Sequence, residues 1–310
     1  GDRIMDAPNW EMDYNELNLK RALGEGSCGQ VWLATWRCTE VAVKKLMMDD
    51  DPSTPSSTAL AQSFQREAAI LMRLRHPNVV MFMGVSLSPP AIVTEFCAKG
   101  SLFDVLRKAN DPRAPPLDWV RRLQLAAGAA RGMHYLHMQT PPIMHRDLKS
   151  PNLCVDKNWT VKVCDFNLSK VMVATMVTGS TSVVSPRWMA PEVLSGEKFS
   201  KAADAYSFGV VLWELLTLQV PFADLSSWQI MQMVGSEKRQ PPLPSTPDPA
   251  FIEHEAYTQL IKDCWQEEPS DRPTFSDVNA RLEAMLDAET KRAVVKNRQT
   301  PKKTRILNAH

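Results

Sequence analysis

Apolar and polar residues alternate along much of the first hundred positions of this chain, and apolar residues recur at helical spacing beyond them. Val41 and Val43 alternate with Ala42 and Lys44 inside Glu40–Leu46, which predicts a pleated strand with two distinct faces. Leu17–Leu23, Val31–Trp36, Val79–Val85 and Ala91–Phe96 predict further strands, with Arg37-Cys38-Thr39 as a tight connection. In Ala61–Leu74, Phe64, Ala68, Leu71 and Met72 share one stripe, so this stretch predicts a helix that His76-Pro77-Asn78 stops. Met48–Thr58 is rich in Asp, Ser, Thr and Pro and reads as a loop. After Gly100, helical spacing marks Leu102–Lys108, Trp119–His137, Ala202–Leu218, Trp228–Val234, Ala256–Cys264 and Phe275–Asp287. The switch from strand to helix patterns predicts two lobes joined near Glu95–Ser101.

Composition changes this picture little. At 44% hydrophobic and 23% charged residues, the chain has the make-up of an ordinary globular protein. A net charge of +1 supplies no global field for nucleic acid. Lys291 to His310 holds seven Lys or Arg and no Asp or Glu, leaving +1 − 7 = −6 on the rest, so a disordered basic tail is expected over 289–310. The six cysteines form no close pair in sequence and no secretory leader is legible, which points to free thiols and a cytoplasmic setting. The strongest apolar run, Phe208 to Leu218, carries Glu214 and is far short of the ~20 residues a bilayer crossing needs, so it reads as a buried helix rather than a transmembrane segment.

The chemistry concentrates in His145-Arg146-Asp147-Leu148-Lys149-Ser150-Pro151-Asn152 and in Asp165 thirteen residues further on. Asp147 can accept a hydroxyl proton, Lys149 can neutralise a transferring phosphate, and Asn152 and Asp165 offer hard oxygen ligands suited to Mg²⁺. Upstream, Gly24-Glu25-Gly26-Ser27-Cys28-Gly29-Gln30-Val31 lets backbone amides approach phosphate oxygens. A dinucleotide-binding fold uses similar glycines but opens a helix there, whereas Val31–Trp36 is strand-like, and this weakens an oxidoreductase reading. Lys44 on the next strand can contact phosphates if an acid orients it, and Glu67 on the helix is the candidate partner.

These segments resemble the protein kinase family, whose catalytic loop reads H-R-D-x-K-x-x-N and whose metal aspartate opens D-F-G. Ala190-Pro191-Glu192 is similar to the end of a kinase activation segment, and the likeness runs from about Leu17 to Leu286. His76–Val85, Ala91–Phe96, Gly100-Ser101-Leu102 and Arg187–Glu192 look like the tyrosine-kinase-like group, closest to Raf-like and plant-type MAP kinase kinase kinases. Lys149 is similar to serine/threonine kinases.

The resemblance implies an α+β, two-lobe fold: a small antiparallel-sheet lobe with one main helix over 17–95, a hinge at 96–100, and a mainly helical lobe over 101–288, preceded by a flanking segment at 1–16. It implies ATP and Mg²⁺ as cofactors, with Mn²⁺ as an alternative, and a protein substrate, a downstream kinase among the candidates. Catalysis would fall to Asp147, Lys149, Lys44 and Glu67, and metal binding to Asn152 and Asp165. Gly24, Gly26, Ser27 and Gly29 would hold the phosphates; Val31, Ala42 and Leu153 would enclose adenine, with Thr94 behind it and backbone from Glu95 through Cys97 to Ala98 along its edge. Glu192 and Arg272 would form a buried ion pair, and Asp204 would hold the catalytic-loop backbone. Cys164 would sit near the phosphates, as a small buried apolar residue or a reactive thiol. Arg146 would bind a phosphorylated activation segment, with Thr178 to Ser182 as candidate sites, and Trp10 would pack on the small lobe. Asn167 stands where this family has glycine; it tolerates φ > 0 and is expected to narrow the segment's range, the alternative being a pseudokinase scaffold.

Overall fold

The computed structural model describes residues 10–26, 29–46, 64–165 and 186–299. Five antiparallel strands, β1 (Asn18–Gly26), β2 (Gly29–Trp36), β3 (Thr39–Leu46), β4 (Phe82–Leu87) and β5 (Pro90–Glu95), form one sheet in the order β1-β2-β3-β5-β4. Arg37 and Cys38 turn the β2–β3 hairpin with φ of 45° and 64°, the left-handed backbone that matches strand twist. Period-2 alternation divides the sheet. Leu17, Ala34, Val41, Val43, Ala91 and Val93 pack on one face under Met12, Tyr14 and Trp36. Ala42 pairs with Thr94 and Lys44 with both Val31 and Ile92, so these residues share the opposite face. That face meets a helix, α1, described over 64–71.

The large lobe is built around α2 (Leu102–Ala109), α3 (Trp119–His137), α4 (Pro191–Leu194), α5 (Lys201–Thr217), α6 (Ser227–Ile230), α7 (His254–Cys264) and α8 (Phe275–Gln299). Ser101 and Asp104 make a reciprocal capping box on α2, and Asp118 accepts the Arg121 amide at the start of α3. Fourteen of the seventeen α5 residues are buried, so this helix lies inside the lobe. Gly132 on α3 allows the lobes to meet: a Cβ there would stand 2.4 Å from the Asn78 carbonyl and 2.7 Å from Val163. Asn78 donates its side-chain amide to the Val161 carbonyl at 2.9 Å and accepts the Val163 amide at 2.9 Å, tying the small lobe's connecting segment to the large lobe.

Three expectations are corrected. The strand expected over Val79–Val85 begins only at Phe82, because Val79 and Val80 pair instead with Val163 of the large lobe. Two short strands, β6 (Leu153–Val155) and β7 (Val161–Val163), form a separate ribbon, too brief to show periodicity. The helix expected to end at Asp287 continues to Gln299, so 289–299 is not a disordered tail. Glu289 is buried and accepts the Ile252 amide at 2.8 Å, while Arg292 donates to the Ala250 carbonyl at 2.8 Å. Those anchors are tertiary, and the local excess of positive charge does not reveal them.

Trp10 lies ahead of the sheet. It accepts the Val85 amide at 2.9 Å, Met12 donates back to the Val85 carbonyl at 2.9 Å, and the Trp10 ring packs on Phe82 under the Arg75 guanidinium. Gly84 permits this docking, since a Cβ there would meet the Met12 methyl at 2.1 Å.

Candidate active site

Lys44 stands at the junction of the lobes. Its Nζ lies 3.0 Å from Glu67 Oε1 on α1 and 2.7 Å from Asp165 Oδ1 after β7. Burial works against its charge, but Asp165 and Glu67 more than offset this and raise its pKa well above the ordinary value. Burial pushes the Glu67 carboxyl up against the pull of Lys44. Asp165 is also penalised by burial, yet Lys44 prevails and holds its pKa low. One cation between two carboxylates leaves a net negative cluster, which suits a divalent cation more than a second lysine.

The catalytic loop rests on α5. Asp204, fully buried, accepts the amides of His145 at 2.9 Å and Arg146 at 3.0 Å, and His137 Nε2 lies 2.8 Å from it. These bonds support Arg146 in a left-handed conformation, φ 68°, that costs a non-glycine residue of order 1 kcal/mol or more. The turn presents Asp147, whose carboxylate lies 2.8 Å from Lys149 Nζ. Asn152 donates its amide to the Asp147 carboxylate at 2.9 Å and to the Asp147 carbonyl at 2.8 Å. With its Nδ2 so engaged, Asn152 keeps its Oδ1 as an acceptor, the atom a cation would use. Among the described residues no group of three or more His, Cys, Asp or Glu could hold a metal alone. Asn152 and Asp165 therefore fit a Mg²⁺ that draws its remaining ligands from phosphate and water.

Glu214 on α5 ties the catalytic loop to the helix core, a role that motif reading missed. It accepts Ser150 Oγ of the catalytic loop at 2.7 Å and Trp188 Nε1 at 2.8 Å, and burial pushes its pKa up to about 7 against those two bonds. A glutamate inside the apolar run Phe208–Leu218 was the available signal. The expected Glu192–Arg272 pair is bidentate, at 2.6 and 2.9 Å.

The adenine-side residues need finer sorting. Val31, Ala42 and Thr94 are half-buried on the inner sheet face. Gly29, φ 147°, leaves no room for a Cβ, which would lie 2.0 Å from the Lys45 carbonyl. Gly24 and Gly26 lie in β1. Glu95 is committed: its amide donates to the Met81 carbonyl at 3.0 Å, and its carboxylate bonds Lys162 and the Met81 amide, both at 2.9 Å. Its carbonyl is thus what it has for a ligand. Leu153 is fully buried in the large-lobe core and offers no surface. Strand alternation turns its neighbour Cys154, half-buried, to the other side. There the Cys154 sulfur lies 3.4 Å from that of Cys164, with the Cys97 thiol of the hinge as a second neighbour. These sulfurs and burial hold the Cys154 thiol well above its ordinary pKa. Ser27, Asn167, the Thr178–Ser182 sites and Cys28 lie outside the described residues.

Comparison with known proteins agrees with this geometry. The family model described as protein tyrosine and serine/threonine kinase matches residues 17–282. Serine/threonine-protein kinase CTR1 of Arabidopsis thaliana is 42% identical over 284 residues, covering 91% of this chain and 33% of that protein. The probable serine/threonine-protein kinase SIS8 of the same plant is 43% identical, covering 90% and 26%. The probable serine/threonine-protein kinase drkA of Dictyostelium discoideum is 40% identical, covering 89% and 40%. The chain thus spans between a quarter and two-fifths of the length of these relatives. With a family match over nearly all of both lobes and the Lys44, Asp147 and Asp165 constellation in place, the chain belongs to the protein tyrosine and serine/threonine kinases.

Proposed function

We propose that this chain is the catalytic domain of an ATP-dependent serine/threonine protein kinase of the Raf-like kind, acting in a cytoplasmic signalling cascade on a protein substrate such as a downstream kinase. The observation that carries the reading is Lys44 bonded at once to Glu67 and Asp165, because it joins the small lobe, its helix and the metal aspartate in one charged unit. ATP with Mg²⁺ supplies the phosphoryl group and the electrophilic metal. The chain's own residues then have separable tasks. Lys44 positions phosphate oxygens, and Glu67 keeps Lys44 aimed. Asn152 and Asp165 hold the metal. Asp147 accepts a hydrogen bond from the substrate hydroxyl and takes its proton as the oxygen attacks, while Lys149 neutralises charge beside it. Val31, Ala42, Thr94 and Cys154 line the adenine slot, with Cys154 in the place expected for Leu153. Among the described residues no helix is long and apolar enough to cross a membrane.

The test is phosphoryl transfer from labelled ATP in Mg²⁺ to a generic substrate, with Asp147→Ala beside the wild type. Loss of the positioned base should lower turnover by ~10²–10⁴-fold while ATP affinity stays within a few-fold. Near-normal turnover in the variant would remove Asp147 from its role.

A further inference from the structure

Cys154 and Cys164 occupy a position that motif chemistry does not use. Cys154 is the middle residue of β6 and faces Lys162 across the ribbon, while Cys164 directly follows the end of β7, diagonal to Cys154. Their sulfurs are in contact at 3.4 Å, and the Cys164 sulfur also donates to the Asn152 carbonyl at 3.2 Å. Both residues are half-buried rather than sealed in the core. Cys154 follows Asn152 by two residues and Cys164 directly precedes Asp165, so each sulfur is carried within two residues of a candidate metal ligand.

We propose that Cys154 and Cys164 are a peroxide-sensitive dithiol whose closure to a disulfide shuts the nucleotide site. The consequence for nucleotide rests on the kinase reading above. In the reaction Cys164 gives up its proton and attacks hydrogen peroxide, since Cys154 is held protonated; the O–O bond breaks, and a sulfenic acid on Cys164 and water form. The second thiol displaces the sulfenic oxygen as a second water, and the S–S bond closes. Two thiols lose two electrons and two protons to one peroxide.

A disulfide holds its sulfurs at about 2.05 Å, so one strand must give way by roughly an ångström. β6 is the firmer side. Leu153 and Val155 are fully buried, Lys99 donates to the Val155 carbonyl at 3.0 Å, and Val155 donates to Gly100 at 2.8 Å. Cys164 is the end that moves, and Asp165 moves with it. Asp165 sits at φ 55°, held through its carboxylate by Lys44. Closure therefore pulls the metal aspartate from Lys44 and places a crosslink on the adenine side of the cleft.

The experiment treats the whole chain with hydrogen peroxide, then maps its peptides without reduction and titrates a fluorescent ATP analogue. A linked Cys154–Cys164 peptide should appear, together with a loss of analogue affinity of ~10-fold or more that dithiothreitol reverses. Cys164→Ser and Cys154→Ser should each keep the same affinity before and after peroxide, every variant being compared with its own reduced state. Cys97→Ser should still form the crosslink. Absence of the linked peptide overturns the proposal, as does a linked protein with unchanged affinity or equal peroxide sensitivity in Cys164→Ser. Failure of the reduced wild type to bind the analogue would count against the kinase reading alone, and the peptide map would still decide whether the dithiol exists.

Discussion

The catalytic loop and the Lys44–Glu67 pair are both polar groups held away from water, but they are held differently. The loop is fixed from below by α5, a helix buried on all sides, whose Asp204 and Glu214 accept four hydrogen bonds from the loop backbone, Ser150 and Trp188. Among the described residues, Lys44 is fixed by its two acidic partners, one on α1 and one just after β7. The first arrangement is built into one lobe's core. The second exists only while three elements from both lobes stay in register. A rigid base and a clamp drawn from both lobes therefore meet at the same junction, and the clamp can part by a shift of α1 or Asp165 that leaves the core around α5 packed.

Asp204→Ala should give the largest effect, because it strips acceptors from two amides and leaves Arg146 strained. Each orphaned buried donor costs about 1–3 kcal/mol, so a total loss of roughly 3–5 kcal/mol is expected by denaturant unfolding, together with collapse of turnover. A variant of unchanged stability would show that α5 is not the base.

The clamp is next. Lys44→Met should lower turnover by ~10²-fold or more, and Glu67→Gln should also lower it, with unfolding free energies that change less than for Asp204→Ala. If the pair acts as a unit, the double variant is little worse than the worse single. Multiplicative losses would separate the two residues.

Glu214 sharpens the comparison through pH. Its carboxyl titrates at about 7 in the folded protein against an ordinary 4.5. Between those values the unfolded chain has already released the proton that the folded one retains, so stability falls as pH rises, by roughly 3 kcal/mol in all. Glu214→Gln removes this dependence. The stability of the wild type relative to the variant should therefore decline from pH 5 to pH 8, and a constant difference would contradict the assignment. Smallest of all, Trp10→Ala should cost about 1–2 kcal/mol from its ring contacts with Phe82 and Arg75, read as a lowered unfolding midpoint.

Legibility in the sequence followed the range of the interactions. Asp147, Lys149 and Asn152 were readable because one short loop carries all three, and β2, β3 and α3 because their periodicity is long. Leu153 reads as an adenine-slot residue but is fully buried in the core, since a three-residue strand has no periodicity to say which side packs inward. Glu214 was visible as a charge in an apolar run, but its partners Ser150 and Trp188 lie 64 and 26 residues away. The buried end of α8 was hidden for the same reason: Glu289 finds the Ile252 amide across 37 residues.

By itself, the sequence determined the two-lobe division, the inward-facing side of β3 and the set of groups able to move a phosphoryl group, because each depends on residues close together in the chain. Tertiary structure alone decided that Asp165 would share Lys44 with Glu67, that Glu214 would hold Ser150 and Trp188, and that two cysteines ten residues apart would bring their sulfurs into contact. A pattern of types along a chain fixes local conformation, whereas a distance between side chains is fixed only when every intervening element has packed.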